Sequence, residues 1–193
     1  MQAARGASLT SDDGPVKGPL KDKSRFGLIL GIAVLAVLID LGTKILAVDQ
    51  LGDGRKHQLI GSFLQLHLTR NAGAAFSTGT GITPWISLFG CAAFVVVLVV
   101  SRKVRTPVWA LAMGLLLAGI AGNLMDRFFR DPGPLRGHVI DFLELPHWPI
   151  FNVADMCINV AAVLIVLQSL RGIPMAGRDP VVTGTGATAG VDA

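Results

Sequence analysis

Apolar residues in this chain gather into four long runs separated by polar connections of unequal length. Residues 26–48, 82–100, 107–125 and 152–170 are each long enough to cross about 30 Å of hydrocarbon at about 1.5 Å per helical residue. The pattern therefore predicts four transmembrane helices. Pro84 and Pro107 fall in the first turns of their helices, where a missing N–H costs nothing. Trp85, Trp109 and Trp148 fall near span ends and read as interfacial anchors. In 62–69, Leu64, Leu66 and Leu68 alternate with Gln65, His67 and Thr69, a period of two that predicts a strand with one apolar face. Residues 138–144 (HVIDFLE) form a second β-like run. Two such strands can pair. The expected fold is that of a membrane protein, mainly α: a four-transmembrane-helix bundle with a small extracytoplasmic β-sheet platform lying against the outer leaflet.

Composition supports this reading. Of 193 residues, 51% are hydrophobic and 16% charged, against about 25% charged in an ordinary soluble domain. The net charge of +4 does not indicate nucleic acid, because the basic residues flank apolar runs instead of forming a stripe with interleaved aromatics. Ten Lys and Arg lie in the N-terminal tail, the 101–106 link and the C-terminal tail, and six in the connections 49–81 and 126–150. Basic residues favour the cytoplasmic side, so both termini are expected inside and both long connections outside. Residues 1–25 and 171–193 lack apolar periodicity and are expected to be disordered cytoplasmic tails, leaving 26–170 as the four-span domain. The first apolar run has 23 residues, beyond the 7–15 or so of a signal-peptide core, and reads as an uncleaved span. Cys91 and Cys157 both lie in apolar runs and read as small buried hydrophobes, not a disulfide framework. The absence of an internal repeat weakens an inverted-repeat transporter.

The candidate chemistry lies in carboxylates and amides near the outer span ends. Asp155, in FNVAD, is followed by a run without charge until Arg171. An ionisable group within a span costs roughly 2.5–3.5 kcal/mol on insertion scales and marks a functional site by default. Asn152 shares its helical face, and either residue can also cap a helix N-terminus. Asp141 sits in the second strand-like run. The segment LELPHWPI, with two prolines, can turn the chain back so that Asp141 meets the top of the fourth helix. Two carboxylates within about 3–4 Å share one proton, and their pKa values split. One member then takes a proton from water while the other polarises a scissile carbonyl, which is aspartyl-protease chemistry. On the residues alone, Asp126 and Asp141 are both possible partners for Asp155.

Asn123, Asp126 and Arg127 lie where the third span meets the interface, with a terminal cap and a snorkelling arginine as the plain alternative to a binding role. Arg70 and Asn71 offer donors, and Gly73, Ala74 and Ala75 allow close approach of a backbone or lipid chain. Asp40 and Lys44 are spaced i, i+4 with the acid first, so mutual neutralisation is the simplest account and direct catalysis the alternative. The histidines at 57, 67, 138 and 147 show no ligand spacing, and no metal is expected. Ser62, Ser77, Ser87 and Ser101 have no Lys or His pattern of a nucleophile. The competing classes are a proton- or cation-coupled transporter using Asp40, Asp126 and Asp155 as a relay, and a non-enzymatic membrane scaffold.

In order along the chain stand DLGTK (40–44), TRNAGAAFS (69–77), GNLMDR (122–127), HVIDF (138–142) and FNVAD (151–155). This ordered set resembles bacterial lipoprotein signal peptidase, or signal peptidase II, over essentially all of 26–170. The resemblance implies an aspartyl endopeptidase of the bacterial inner membrane with its active site near the outer face. Such enzymes cut prolipoproteins just before a cysteine that already carries diacylglyceryl. The resemblance puts the catalytic dyad at Asp141 and Asp155. It puts supporting polar residues at Asp40, Lys44, Asn71, Asn123, Asp126, Arg127 and Asn152. It implies no cofactor. The partners expected are diacylglyceryl prolipoprotein, membrane lipids and the inhibitor globomycin, with no nucleic acid, and the enzyme is expected to be a monomer.

Overall fold

The structure, a computed structural model, describes residues 24–73 and 82–177, so most of the two expected tails, together with Ala74, Ala75 and Ser77, lie outside the described residues. The elements are α1 (Phe26–Gln50), β1 (His57–Ile60), β2 (Leu64–Asn71), α2 (Thr83–Ser101), α3 (Pro107–Phe129), β3 (Val139–Glu144) and α4 (Val153–Leu170). All four helices are long and apolar enough to span a membrane, with mean hydropathies of 2.3, 2.2, 1.8 and 2.0 in chain order. The four expected spans are thus present, and α3 runs past its expected end at 125 to Phe129, which makes Asp126 and Arg127 helical.

α3 is the axis of the bundle. Half of its apolar window is buried inside the protein, against 11% for α1 and α2 and 17% for α4. The other three helices all pack on it. The cause is its run of small residues, Ala110, Ala112, Gly114, Ala118, Gly119 and Gly122, all buried. In lipid, helices associate through close van der Waals packing instead of expulsion of water, and small residues permit that approach. A Cβ on Gly119 would meet the carbonyl oxygen of Ala154 and lie 2.5 Å from Ile158 Cγ1. A Cβ on Gly122 would lie 2.5 Å from Asp40 Oδ2. Overpacking of a tight site costs about 1–3 kcal/mol. Gly119→Val should therefore lower the thermal unfolding midpoint in detergent and push α4 away from α3, whereas Gly27→Val, at a position with open space around it, should do neither.

At the end where α1 begins and α4 finishes, Arg25 N donates to Val104 O at 3.1 Å and Arg105 N to Met175 O at 2.9 Å. Trp109, expected as an exposed anchor, is instead buried and donates through Nε1 to Ile173 O at 2.8 Å. Trp85 and Trp148 are exposed, as an interfacial role requires.

At the other end the sheet has three strands, not two, in the order β1–β2–β3 and antiparallel throughout. β1 is four residues of HQLI, all exposed and too short to show an alternation. Leu66 stands opposite Leu143 and Thr69 opposite Asp141, so three steps along β2 match two along β3. β2 bulges there, and Leu66 and Leu68 both pack against the cluster of Ala47, Leu51, Ile140 and Phe142, seating the sheet on the end of α1. The far edge of β3 is closed by other elements. Ile140 N donates to Asp126 Oδ2 at 3.2 Å, Ile140 O accepts from Asn152 Nδ2 at 3.3 Å, and Phe142 N donates to Phe151 O at 3.0 Å. Phe151 also bridges back to Leu143, so the chain through LPHWPI does return the start of α4 to β3.

Candidate active site

Asp141, mid-strand in β3, is buried. Its Oδ2 accepts from Asn71 Nδ2 at 3.0 Å, on the strand beside it, and its Oδ1 accepts from Asn152 Nδ2 at 2.6 Å. Asp155 lies in the first turn of α4 and forms a capping box with Asn152. Asn152 Oδ1 accepts from Asp155 N at 3.0 Å, and Asp155 Oδ2 accepts from Asn152 N at 3.2 Å. Capping of that helix is therefore realised by both residues together. It leaves Asp155 Oδ1 to accept from Asn123 Nδ2 at 2.8 Å. Asn152 thus stands between two carboxylates, with its side-chain amide on Asp141 and its backbone amide on Asp155. Burial pushes the Asp141 carboxyl up to about 7, against the hydrogen bond from Asn71, and the neighbouring charge of Asp155 pushes it the same way.

The amides are oriented from behind. Asn123 Oδ1 accepts from Lys44 Nζ at 3.4 Å and from Asn152 Nδ2 at 3.2 Å, which turns its NH2 group toward Asp155. Lys44 is fully buried and lies 2.8 Å from both Asp40 Oδ2 and Asp126 Oδ2. Asp126 also pairs with Arg130 Nε. Asp40 Oδ1 accepts from Ala154 N at 2.8 Å, in the first turn of α4. The i, i+4 pair read from the sequence is therefore half of a four-charge cluster that joins α1, α3, α4 and β3. The transporter alternative requires Asp40 and Asp126 as relay groups, yet both are engaged by Lys44.

Arg127 differs from a snorkelling arginine. It is buried and donates from Nη1 to the carbonyls of Asn71, Ala72 and Gly137 at 3.5, 3.2 and 3.2 Å, and from Nη2 to Gly73 O. It clamps the end of β2 and the chain leading into β3. Nor is it the residue that balances Asp126, a part taken by Lys44 and Arg130.

A cavity of about 470 Å3 opens at this end among α2, α3, α4 and β3. Asn71, Asn123, Arg127, Asp141 and Asp155 line its polar side; Ile86, Phe89, Ile120, Leu124 and Ile158 line its apolar side; residues 148–151 form a rim. Of the residues singled out from sequence, these five polar groups meet in one place, with Asn152 immediately behind. Asp40, Lys44 and Asp126 do not line the cavity, but Lys44 reaches Asn123, which does. Sequence reasoning missed Arg130 and Gly137. Arg130 was legible, because Asp126 and Arg130 obey the same i, i+4 rule as Asp40 and Lys44. Gly137 gave no signal. It packs under the end of α3, where a Cβ would lie 2.8 Å from Arg130 O and 3.0 Å from Arg127 O.

A family model described as signal peptidase (SPase) II matches residues 32–171. The chain belongs to the signal peptidase II family. It is a peptidase and a multi-pass membrane protein, of a family that cleaves lipoprotein signal peptides. The lipoprotein signal peptidase of Mycolicibacterium smegmatis is 43% identical over 164 residues, covering 85% of this chain and 70% of that one. The lipoprotein signal peptidase of Rhodococcus jostii is 47% identical over 146 residues, covering 76% and 74%. Among solved structures, a bacterial membrane enzyme determined by the in meso method at 2.3 Å resolution aligns with a TM-score of 0.71 and 26% identity, covering 79% of this chain and 93% of that one. The resemblance carried by the five motifs and the expected architecture of this signal peptidase II family member are both upheld.

Proposed function

We propose that this peptidase hydrolyses the signal peptide from diacylglyceryl-modified prolipoproteins, just before the lipid-bearing cysteine, with Asp141 and Asp155 as an aspartyl dyad. The observation that carries the proposal is the pair of carboxylates held on either side of Asn152 at the polar end of an otherwise apolar cavity. Asp141 is the member that holds the shared proton, because burial favours its neutral form. The other carboxylate removes a proton from water, whose oxygen bonds to the scissile carbonyl carbon. Asp141 gives its proton to the carbonyl oxygen. The resulting gem-diol collapses as the C–N bond breaks, and the proton taken from water passes to the departing amine. A gem-diol hydroxyl returns its proton to Asp141, which leaves a carboxylic acid product and resets the dyad. Atoms and charge balance within the dyad, with no metal and no covalent intermediate. Asn71 and Asn123 hold the carboxylates in orientation, and Arg127 holds the loop beside them.

The apolar side of the cavity, between α2 and α4, suits lipid chains that stay in the bilayer while the peptide bond reaches the dyad. Arg25, Arg102, Lys103, Arg105 and Arg171, at the end of the bundle opposite the sheet, support an orientation with both termini in the cytoplasm and the site toward the outer face of the bacterial inner membrane. The deciding experiment incubates the reconstituted protein with diacylglyceryl-modified and unmodified prolipoprotein, with and without globomycin. Cleavage of the modified form alone, a product beginning at the modified cysteine and inhibition by globomycin are expected. Equal cleavage of both forms would defeat the lipid-dependent reading.

The pH dependence has a definite sign. Asp141 must carry a proton in the resting dyad, and its carboxyl titrates at about 7. Activity should therefore fall as pH rises through about 7 and level off below it, until the dyad takes up a second proton. A profile of kcat/KM that rises steadily from pH 6 to pH 9 contradicts the assignment of the proton to Asp141.

A further inference from the structure

We propose that the tip of the β1–β2 hairpin is a membrane-surface anchor, with Leu59, Ile60 and Phe63 entering the bilayer leaflet on the active-site side. Hairpin tips are usually built from small polar turn residues. Here three large apolar side chains surround Gly61 and Ser62, and they are 57%, 61% and 65% exposed. None of them belongs to a buried cluster among the described residues.

Two observations identify lipid as the occupant. The sheet is seated on the end of α1 through Ala47 and Leu51, and Ile45 and Leu46 beside that seat are exposed on the spanning helix. The lipid-facing surface of α1 therefore runs directly to the base of the sheet. The same end of the bundle also carries exposed Trp85, Phe129 and Trp148, an aromatic ring of the kind that sits at headgroup level. Phe63 extends that ring to the sheet. Arg55, exposed at the foot of β1, is placed to meet lipid phosphate, while Lys56 is already paired with Glu144 at 2.5 Å. Such a tip, apolar with a cationic foot, binds an interface by burying its apolar side chains below the headgroups.

The anchor has a consequence for the site. β2 runs from the tip to Asn71, which holds Asp141. A tip fixed in the leaflet sets the depth of that strand relative to the lipid from which the substrate arrives. The anchoring itself does not depend on the dyad assignment.

The test is a spin label at position 63, made as Phe63→Cys with Cys91→Ser and Cys157→Ala, in proteoliposomes of phosphatidylethanolamine and phosphatidylglycerol. Collision rates with oxygen and with a water-soluble nickel chelate report depth. Labels at Leu38 and Asp53 give the lipid and water references. The label at 63 should favour oxygen over nickel, as that at 38 does. A ratio equal to that at 53 overturns the proposal, and so does dipolar broadening between labels on two copies, which would mean that a second chain covers the tip. Leu59→Glu with Phe63→Glu should raise KM roughly five- to tenfold with kcat nearly unchanged. An unchanged KM overturns the link from anchor to site.

Discussion

Lys44→Met should destabilise the protein by about 3–5 kcal/mol, the usual cost of removing one partner from a buried ion pair. The side chain is fully buried and lies 2.8 Å from a carboxylate on each of two helices. Its loss leaves the two acids in unequal positions. Asp126 retains Arg130 and the amide of Ile140. Asp40 retains only the amide of Ala154 among its described cross-helix partners. Adding Asp40→Asn to Lys44→Met should therefore recover more stability than adding Asp126→Asn. The same change frees Asn123 Oδ1 from its cation, so activity should stay low even in the stabilised double variant. Unfolding in detergent with urea, combined with a double-mutant cycle, reads the first effect, and cleavage of lipid-modified substrate reads the second. A loss below about 1 kcal/mol, the range of an exposed pair, would mean that the cluster contributes little to holding the helices together.

The parts of this architecture that were legible in the sequence are those set by local periodicity. Span lengths follow from runs of apolar residues, and each predicted helix is present to within four residues at its ends. β2 and β3 were visible through alternation and β-rich composition. β1 was not, because HQLI is too short to display a period and is defined only by its pairing with β2. The bulge at His67 and Leu68 was hidden for a related reason. Simple alternation puts Leu66 and Leu68 on one face, but the register against β3 that aligns Thr69 with Asp141 is a tertiary property.

The site divides in the same way. Asp155 stood out as a charge at the edge of a span, and Asp40 with Lys44 as a helical pair. The link from Lys44 to Asp126 joins residues far apart in sequence and has no local signature. For Arg127 the snorkelling alternative fails for a physical reason: an arginine at a span end ordinarily reaches water, whereas here four backbone carbonyls replace that water. Such carbonyls carry no side-chain identity and cannot be read from a sequence. Trp109 did mislead, because its indole found the carbonyl of Ile173 instead of the interface.

Asp141→Asn and Asp155→Asn should each abolish cleavage, by roughly 10³-fold or more for loss of an acid–base group, yet they should differ in stability. At Asp141 both oxygens accept from amides, and the carboxyl is buried with its titration raised from 3.8 to about 7. The native state then binds more protons than the unfolded chain between those values, so this group makes stability fall as pH rises from about 4 to about 7. At about 1.4 kcal/mol per pKa unit, the full effect is at most about 4–5 kcal/mol above pH 7. Asparagine cannot ionise. Asp141→Asn should therefore be inactive, folded, and relatively more stable than the parent at pH 8 than at pH 4. Asp155 differs in what its oxygens hold. One oxygen closes the helix cap and the other accepts from Asn123. An amide there can keep the cap only by turning its NH2 toward the NH2 of Asn123, which Lys44 and Asn152 hold in place. Asp155→Asn should thus lose activity and also stability at both pH values. Unfolding curves at pH 4 and pH 8 for the parent and the two variants separate these outcomes, and cleavage by Asp141→Asn at the parental rate would remove it from the dyad.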